Sequence, residues 1–274
     1  MRLISAGEPH ANAATSGRTY LQMIGAELLK LRRKRSIVGT AAFLSIGITV
    51  LYLAVLEIEH LTTPGSYGPA GGLAHFDDVT VLLSVWFGAL AAMLVGTEAG
   101  TTDTASGVFR DLVVTGRSRL ALFAVRVPAA LAVTLTIALA ALAVALAATY
   151  GLAGSLPTPG ASFVIEAVLW VCGAQLLMCV IAVGLGSLTG SRAASLTILI
   201  GWQLIAGRLL ARATFFGDAR DAIPNIALGA LKPGRPLADN DLLTMSAGVA
   251  LAVLAAWAVI WLALGAWQTR VRDA

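Results

Sequence analysis

Few side chains in this sequence could do chemistry, and their spacing excludes more than it offers. No G-x-x-x-x-G-K-[ST] run occurs, nor any Gly-Lys pair. The chain therefore lacks the loop whose backbone amides cradle nucleotide phosphates. No H-E-x-x-H stretch or Cys/His cluster has metal-ligand spacing,. His10, His60 and His75 all read as loop residues. His60 and His75 lie near Glu57, Glu59, Asp77 and Asp78, a grouping that reads as a solvated polar loop before it reads as a metal site. A hydrolase nucleophile elbow, G-x-S-x-G, is missing,. Cys172 and Cys179 fall in one apolar run. On a helix they stand about 10 Å apart along the axis, too far for a disulfide, so they read as small buried hydrophobes.

Polar groups inside the apolar runs are the next candidates. Gln175 and Gln203 are deep and neutral. They could line a translocation path, or they could hydrogen-bond across helices and hold a bundle together. Glu166 and Arg208 lie near the ends of their runs, where each can reach an interface. No carboxylate or His stands in the middle of a run, as ion-coupled transport generally requires. Gly186 and Gly190, at i,i+4 spacing, read as a packing face.

The elements that must position these residues follow from composition. Of 274 residues 58% are hydrophobic and 12% charged, roughly half the charged fraction of a soluble domain. Aromatics are only 7%, so the apolar mass is aliphatic and suits closely packed helices in lipid. Residues 1–19 are polar, without the apolar core of a signal peptide, and read as a disordered cytoplasmic leader. Residues 20–274 read as a single transmembrane domain. A crossing helix needs about 20 apolar residues. Six stretches qualify, at about 37–56, 79–96, 127–150, 163–188, 193–211 and 242–267. The fold class is all-α membrane protein.

Cations set the orientation. Lys30, Arg32, Arg33, Lys34 and Arg35 precede the first span. The next connection, Glu57–Asp78, carries four acids and no Lys or Arg, and reads as an irregular external loop. Arg110, Arg117, Arg119 and Arg126 mark the following loop, Arg192 the one after span four, and Arg270 and Arg272 the tail. Both termini are expected in the cytoplasm of a multi-pass plasma-membrane protein. One connection runs against the pattern: Arg212, Arg220, Lys232 and Arg235 follow span five, among Asp218, Asp221, Asp239 and Asp241. Within that segment Asp221–Leu231 is half apolar, and reads as a short re-entrant or interfacial helix burying Ile223, Ile226, Leu228 and Leu231.

Two further segments have their own character. Before span one, Leu21, Ile24, Leu28 and Leu31 recur at helical spacing beside Lys30, Arg33 and Lys34. This predicts an amphipathic helix in the inner headgroup layer. Between spans two and three lies a cytoplasmic loop running from Glu98 to Arg126. Within it, 104–114 can form a short helix, and Ser118 can cap another that starts at Arg119. Pro128 is then expected near the start of the third span, where proline costs little or marks a bend. A folded loop of two helices is more than a connection needs, and reads as a docking surface.

In this loop the sequence resembles the ABC-2 type permeases, the membrane subunits of a class of ATP-binding-cassette exporters. Asp103 takes that family's acidic position, Gly107 its glycine, Leu112 one of its leucines, Ser118-Arg119 its Ser-Arg pair and Arg126 its final basic position. Val108 stands where Thr is common, and Gly116 where Pro is common. Glu27, Leu28, Lys30 and Leu31 match the family's amphipathic helix, and the segment with Pro224 is similar to its external hairpin.

The resemblance implies a permease subunit that provides the translocation path and hydrolyses nothing itself. ATP and Mg would be bound by a separate ATPase subunit, with no cofactor in this chain. A loop of Asp103, Gly107, Arg110, Leu112, Gly116, Ser118, Arg119 and Arg126 would couple to that ATPase. The expected partners are the ATPase, a second permease copy or a related chain, and membrane lipid, but no nucleic acid. An ion-gradient-driven secondary transporter and a non-transporting membrane anchor are the alternative readings. A membrane enzyme is the third, and lacks a catalytic constellation.

Overall fold

Six helices carry enough length and apolarity to cross a bilayer, and every described element is helical or a connection, with no strand among the described residues. The computed structural model describes residues 9–105, 118–212, 214–234 and 245–271. In chain order the elements are α1 (Pro9–Arg33), α2 (Arg35–Thr62), α3 (Leu73–Asp103), α4 (Arg119–Gly151), α5 (Ala161–Thr189), α6 (Arg192–Leu210), α7 (Pro224–Ala230) and α8 (Ala247–Val271). A helix satisfies its own backbone hydrogen bonds, the condition lipid imposes on any crossing segment. The protein is accordingly a multi-pass membrane protein.

The helices overrun the expected spans in ways that relocate residues. α2 continues to Thr62 and α3 begins at Leu73, so the acidic connection shrinks to a short turn. Glu57, Glu59 and His60 belong to α2, while His75, Asp77 and Asp78 belong to α3. His10 lies in α1. None of the three histidines is a loop residue, and no described His/Cys/Asp/Glu group could hold a metal. At its other end α3 extends past Gly96, so Glu98 is helical rather than the first residue of a loop. Apolar-run length stops at the first charge, whereas a helix stops only where its hydrogen bonding does. α1 likewise begins inside the stretch expected to be a disordered leader.

Local capping follows the sequence closely at two points. Ser118 is the N-cap of α4 and accepts from the Ala121 amide at 3.2 Å. Ser191 caps α6 through the Ala194 amide at 3.4 Å. Pro128 is a different matter. It lies inside the helix of α4, about two and a half turns from its start,, where it cannot donate to the carbonyl of Ala124. Gly190 is not part of a packing face. It ends α5 in the left-handed conformation, φ 68°, which glycine adopts without the Cβ penalty,.

α5 is the most enclosed of the six long helices and α8 the least. The α3–α5 contact is a seam of small residues. A Cβ on Gly96 would stand 2.5 Å from the Cys179 carbonyl oxygen, and one on Gly100 2.6 Å from that of Val183. Gly186 meets this seam from the α5 side, against Gly100 and Thr97. Such close backbone approach is how helices gain dispersion energy in lipid, where no hydrophobic force drives them together. On its other flank α5 meets α8 through Gly184 and Gly265.

Three helices contain a π-turn: Phe43–Gly47 in α2, Leu82–Trp86 in α3 and Trp202–Ala206 in α6. The α3 turn is braced from two sides. Gln175 of α5 donates to the Leu83 carbonyl at 2.7 Å, and Gln203 of α6 donates to that of Val85 at 2.8 Å. Gly88 leaves the room this needs, since a Cβ there would stand 2.4 Å from the Gln175 amide nitrogen. A π-turn misaligns carbonyls that an α-helix would use internally, and the two amides take them up.

α1 lays Ile24, Leu28 and Leu31 against the bundle core, and Leu31 is buried. Much of the stripe expected to face headgroups thus packs on protein. α7 buries Pro224, Ile226, Ala227, Leu228 and Gly229.

Candidate functional site: a buried ion-pair network

Two carboxylates on the last turns of α3 organise one end of the bundle. Asp103 binds Lys30 of α1 through Oδ1 at 2.7 Å and Arg126 of α4 through Oδ2 at 2.7 Å. Glu98 binds Lys34, at the break between α1 and α2, through Oε1, and Arg192 of α6 through Oε2 at 3.0 Å. Each carboxylate therefore bridges two cations from two different elements. Glu27 adds a second acceptor for Lys30 at 2.7 Å. Thr102 donates to the Glu98 backbone carbonyl at 2.6 Å and lies 3.2 Å from Lys34 Nζ. The network ties α1, the head of α2, α3, α4 and α6 together.

Its members differ in exposure, and with it in energetic weight. The Arg126 and Asp103 side chains are 1% and 4% exposed, whereas that of Arg192 is 50% exposed. An exposed pair contributes at most about 1 kcal/mol. Removing one partner of a buried pair strands the other charge at a cost of about 3–5 kcal/mol. Lys30 lies outside the spans. Burial works against its charge, but hydrogen bonds to Asp103 and Glu27 outweigh that and raise its pKa above the ordinary lysine value. Lys30 stays protonated at neutral pH.

The structure brings together Asp103, Arg126, Lys30 and Glu27 from the sequence-derived candidates. Leu28 and Leu31 lie beside them as packing residues. Ser118 serves as a helix cap. Arg119 is turned elsewhere, its Nη1 donating to the Arg270 carbonyl at 3.2 Å, on the last turn of α8. A cation there also suits the negative end of that helix. Gly107, Arg110, Leu112 and Gly116 lie outside the described residues. Gln175 and Gln203 are far from the network along the chain, at the α3 π-turn. Gln203 keeps Oε1 buried with no hydrogen-bond partner among the described residues.

Sequence reasoning did not single out Lys34, Glu98, Thr102 and Arg192 as site residues. A signal existed for Glu98: an ionisable group continuing an apolar run without a helix breaker calls for a partner. The identities of Lys34 and Arg192 as those partners carry no sequence signal.

At the opposite end of α3 a second network holds the segment after α6. Lys232 Nζ lies 2.6 and 2.8 Å from the two oxygens of Asp77, and its side chain is 2% exposed. Trp170 donates to the Leu228 carbonyl at 2.8 Å, and Trp257 to that of Ala222 at 2.8 Å. Tyr52 donates to Asp78 at 3.0 Å. The cations that ran against the charge pattern thus include one that is internal and neutralised. A buried, paired lysine says little about which side of a membrane its loop occupies.

No protein-family model matches the chain, and no curated protein matches it.

Proposed function

We propose that this chain is the membrane-spanning permease subunit of an ATP-binding-cassette exporter of the ABC-2 type, driven by a separate ATPase subunit. The observation that carries the reading is the ion-pair network at the root of segment 104–117. That segment joins α3 to α4, and Asp103 sits immediately before it, gripping both α1 and α4. A push on the segment would reach α4 through a buried pair that cannot separate cheaply, and α1, α2 and α6 through the more exposed pairs of Lys30, Lys34 and Arg192. α3 would carry it onward, because the same helix holds Asp77 and Lys232 at its other end. A partner that closes on ATP needs such a transmission element in the subunit it drives.

On this reading the network lies on the cytoplasmic side and the Asp77–Lys232 end outside, with α1 along the inner surface. A path for cargo would pass beside the α3 turn, near Gln175 and Gln203. An ion-gradient mechanism needs a carboxylate free to load and release its ion, whereas Glu98 and Asp103 are each held by two cations. The orientation has a direct test. A cysteine replacing Ser66 should react with an impermeant thiol reagent in intact cells, and one replacing Thr115 should react only after permeabilisation. The reverse pattern would invert the topology and remove the docking role of segment 104–117.

The functional test is gentle-detergent isolation of the tagged chain from its native membranes, with mass spectrometry of what accompanies it. A stoichiometric ATP-binding-cassette ATPase is expected, and Gly107→Asp or Arg119→Glu should lower its recovery several-fold while insertion is unchanged. A folded chain that brings down no ATPase would sink the proposal.

A further inference from the structure

The cations at the junction of α1 and α2 divide into two sets by chemistry and by partner. Lys30 and Lys34 turn inward to Asp103 and Glu98. Arg32, Arg33 and Arg35 are exposed, and their side chains make no ion pair or hydrogen bond among the described residues. The break at Lys34, φ −80° and ψ 69°, separates the sets, because it directs one lysine into the bundle while the arginines on either side stay outside.

The arginines also adjoin apolar surface. Leu21 and Leu29 of α1 are 69% and 51% exposed. Leu21 and Arg32 are about three helical turns apart and so share a face, with Leu29 and Arg33 on the neighbouring strip. The stripe of α1 that carries Ile24, Leu28 and Leu31 packs on the bundle core; Leu21 and Arg32 border that stripe, and Leu29 and Arg33 lie farther round on the outer flank. Beyond the break, Phe43 of α2 is also exposed, at 60%.

We infer that Arg32, Arg33 and Arg35 form a docking site for the phosphodiester headgroup of an anionic phospholipid, with its acyl chains against Leu21, Leu29 and the first turns of α2. Guanidinium suits the part, since its planar fork pairs two-pronged with phosphate oxygens while an ammonium acts as a point charge. Charge complementarity selects an anion, and the adjoining apolar strip selects a lipid over a soluble phosphate. The site sits at the head of an apolar span, at the depth where headgroups lie. Its consequence is mechanical. A lipid held there would anchor the break on its outer side, while Lys34 and Glu98 anchor it on the inner side. The inference rests on the membrane-spanning placement of α2 and not on an ATPase partner, so it can fail without the exporter reading failing.

Native mass spectrometry of the detergent-purified full chain, titrated with phosphatidylglycerol or phosphatidylcholine, tests it. Phosphatidylglycerol should bind the wild type more tightly than phosphatidylcholine. R32Q/R33Q/R35Q should weaken phosphatidylglycerol binding by about 100-fold, at roughly 1 kcal/mol for each cation removed. Phosphatidylcholine binding should not change, and the thermal unfolding midpoint should move little, because the arginines are exposed and hold no ion pair or hydrogen bond among the described residues. Replacement of all three by lysine should recover only part of the affinity. An unchanged phosphatidylglycerol affinity in the glutamine variant overturns the proposal. So does an equal loss on Arg220→Gln at the other end of the bundle, which would reduce the effect to general charge attraction. Displacement of the lipid by equimolar inorganic phosphate overturns the lipid assignment.

Discussion

Asp103→Asn is expected to destabilise the protein more than any other single charge removal in the network. Asparagine keeps the size of the side chain and removes its charge, which takes from Arg126, with 1% of its side chain exposed, the carboxylate it binds at 2.7 Å. The expected cost is about 3–5 kcal/mol, the penalty for stranding one member of a buried pair. Lys30 suffers less, because it is 34% exposed and retains Glu27. The thermal unfolding midpoint in detergent measures the effect. Three comparisons give the result its meaning. Arg192→Gln should move the midpoint little, since that side chain is half exposed. Glu27→Gln should fall between the two. Asp103→Asn combined with Arg126→Met should recover part of the loss, because the buried guanidinium that faced Asp103 is removed with it. Equal midpoints for Asp103→Asn and Arg192→Gln would show that burial does not govern the network.

Gly184→Ala is expected to loosen α8 from the bundle, although the same change at Gly173 of the same helix should be harmless. Alanine favours a helix over glycine by about 1 kcal/mol, so propensity alone stabilises both variants. Space decides between them. A Cβ on Gly173 meets nothing within 4 Å, whereas one on Gly184 would stand 2.3 Å from the Trp261 carbonyl oxygen and 2.7 Å from its carbon. Those atoms are backbone of α8 and cannot rotate away. Gly265 of α8 reaches Gly184 from the other side, so the two helices touch along their backbones there. α8 has the least enclosed surface of the six spans, and this is the contact where its backbone comes closest to α5. Overpacking costs about 1–3 kcal/mol, enough to exceed the propensity gain. The unfolding midpoint should fall for Gly184→Ala and rise or stay level for Gly173→Ala. Limited proteolysis should release α8 first in the Gly184 variant. Resistance equal to the wild type would mean that α8 is held chiefly by other contacts.

These two variants mark where sequence reading reached and where it stopped. The six apolar helices were legible because a bilayer imposes a local requirement. Each crossing segment must satisfy its own backbone and expose apolar side chains, and both conditions show in one continuous stretch of chain. Ser118 as the cap of α4 was legible for the same reason, since its bond to Ala121 spans three residues. Helix ends were less so. Glu57, His60, His75, Asp77 and Glu98 all looked like loop because they are polar, yet each is helical. Polarity ends an apolar run without ending the hydrogen bonding of a helix.

What the sequence by itself determined, then, is an all-helical chain with six spans, and a set of charges gathered at the ends of those spans. Tertiary structure alone decided which charge meets which. Asp103 and Lys30 are 73 residues apart, Glu98 and Arg192 94, and Asp77 and Lys232 155. Nothing in the spacing of these residues records such pairings. The same holds for Gln175, which lies 92 residues from the carbonyl it stabilises, and for the glycines. Gly190 turned out to be a left-handed cap, while Gly96, Gly100 and Gly184 make the close contacts. A glycine is only an absent side chain until a neighbouring helix comes near enough to use the gap, and helix approach depends on packing across the whole bundle.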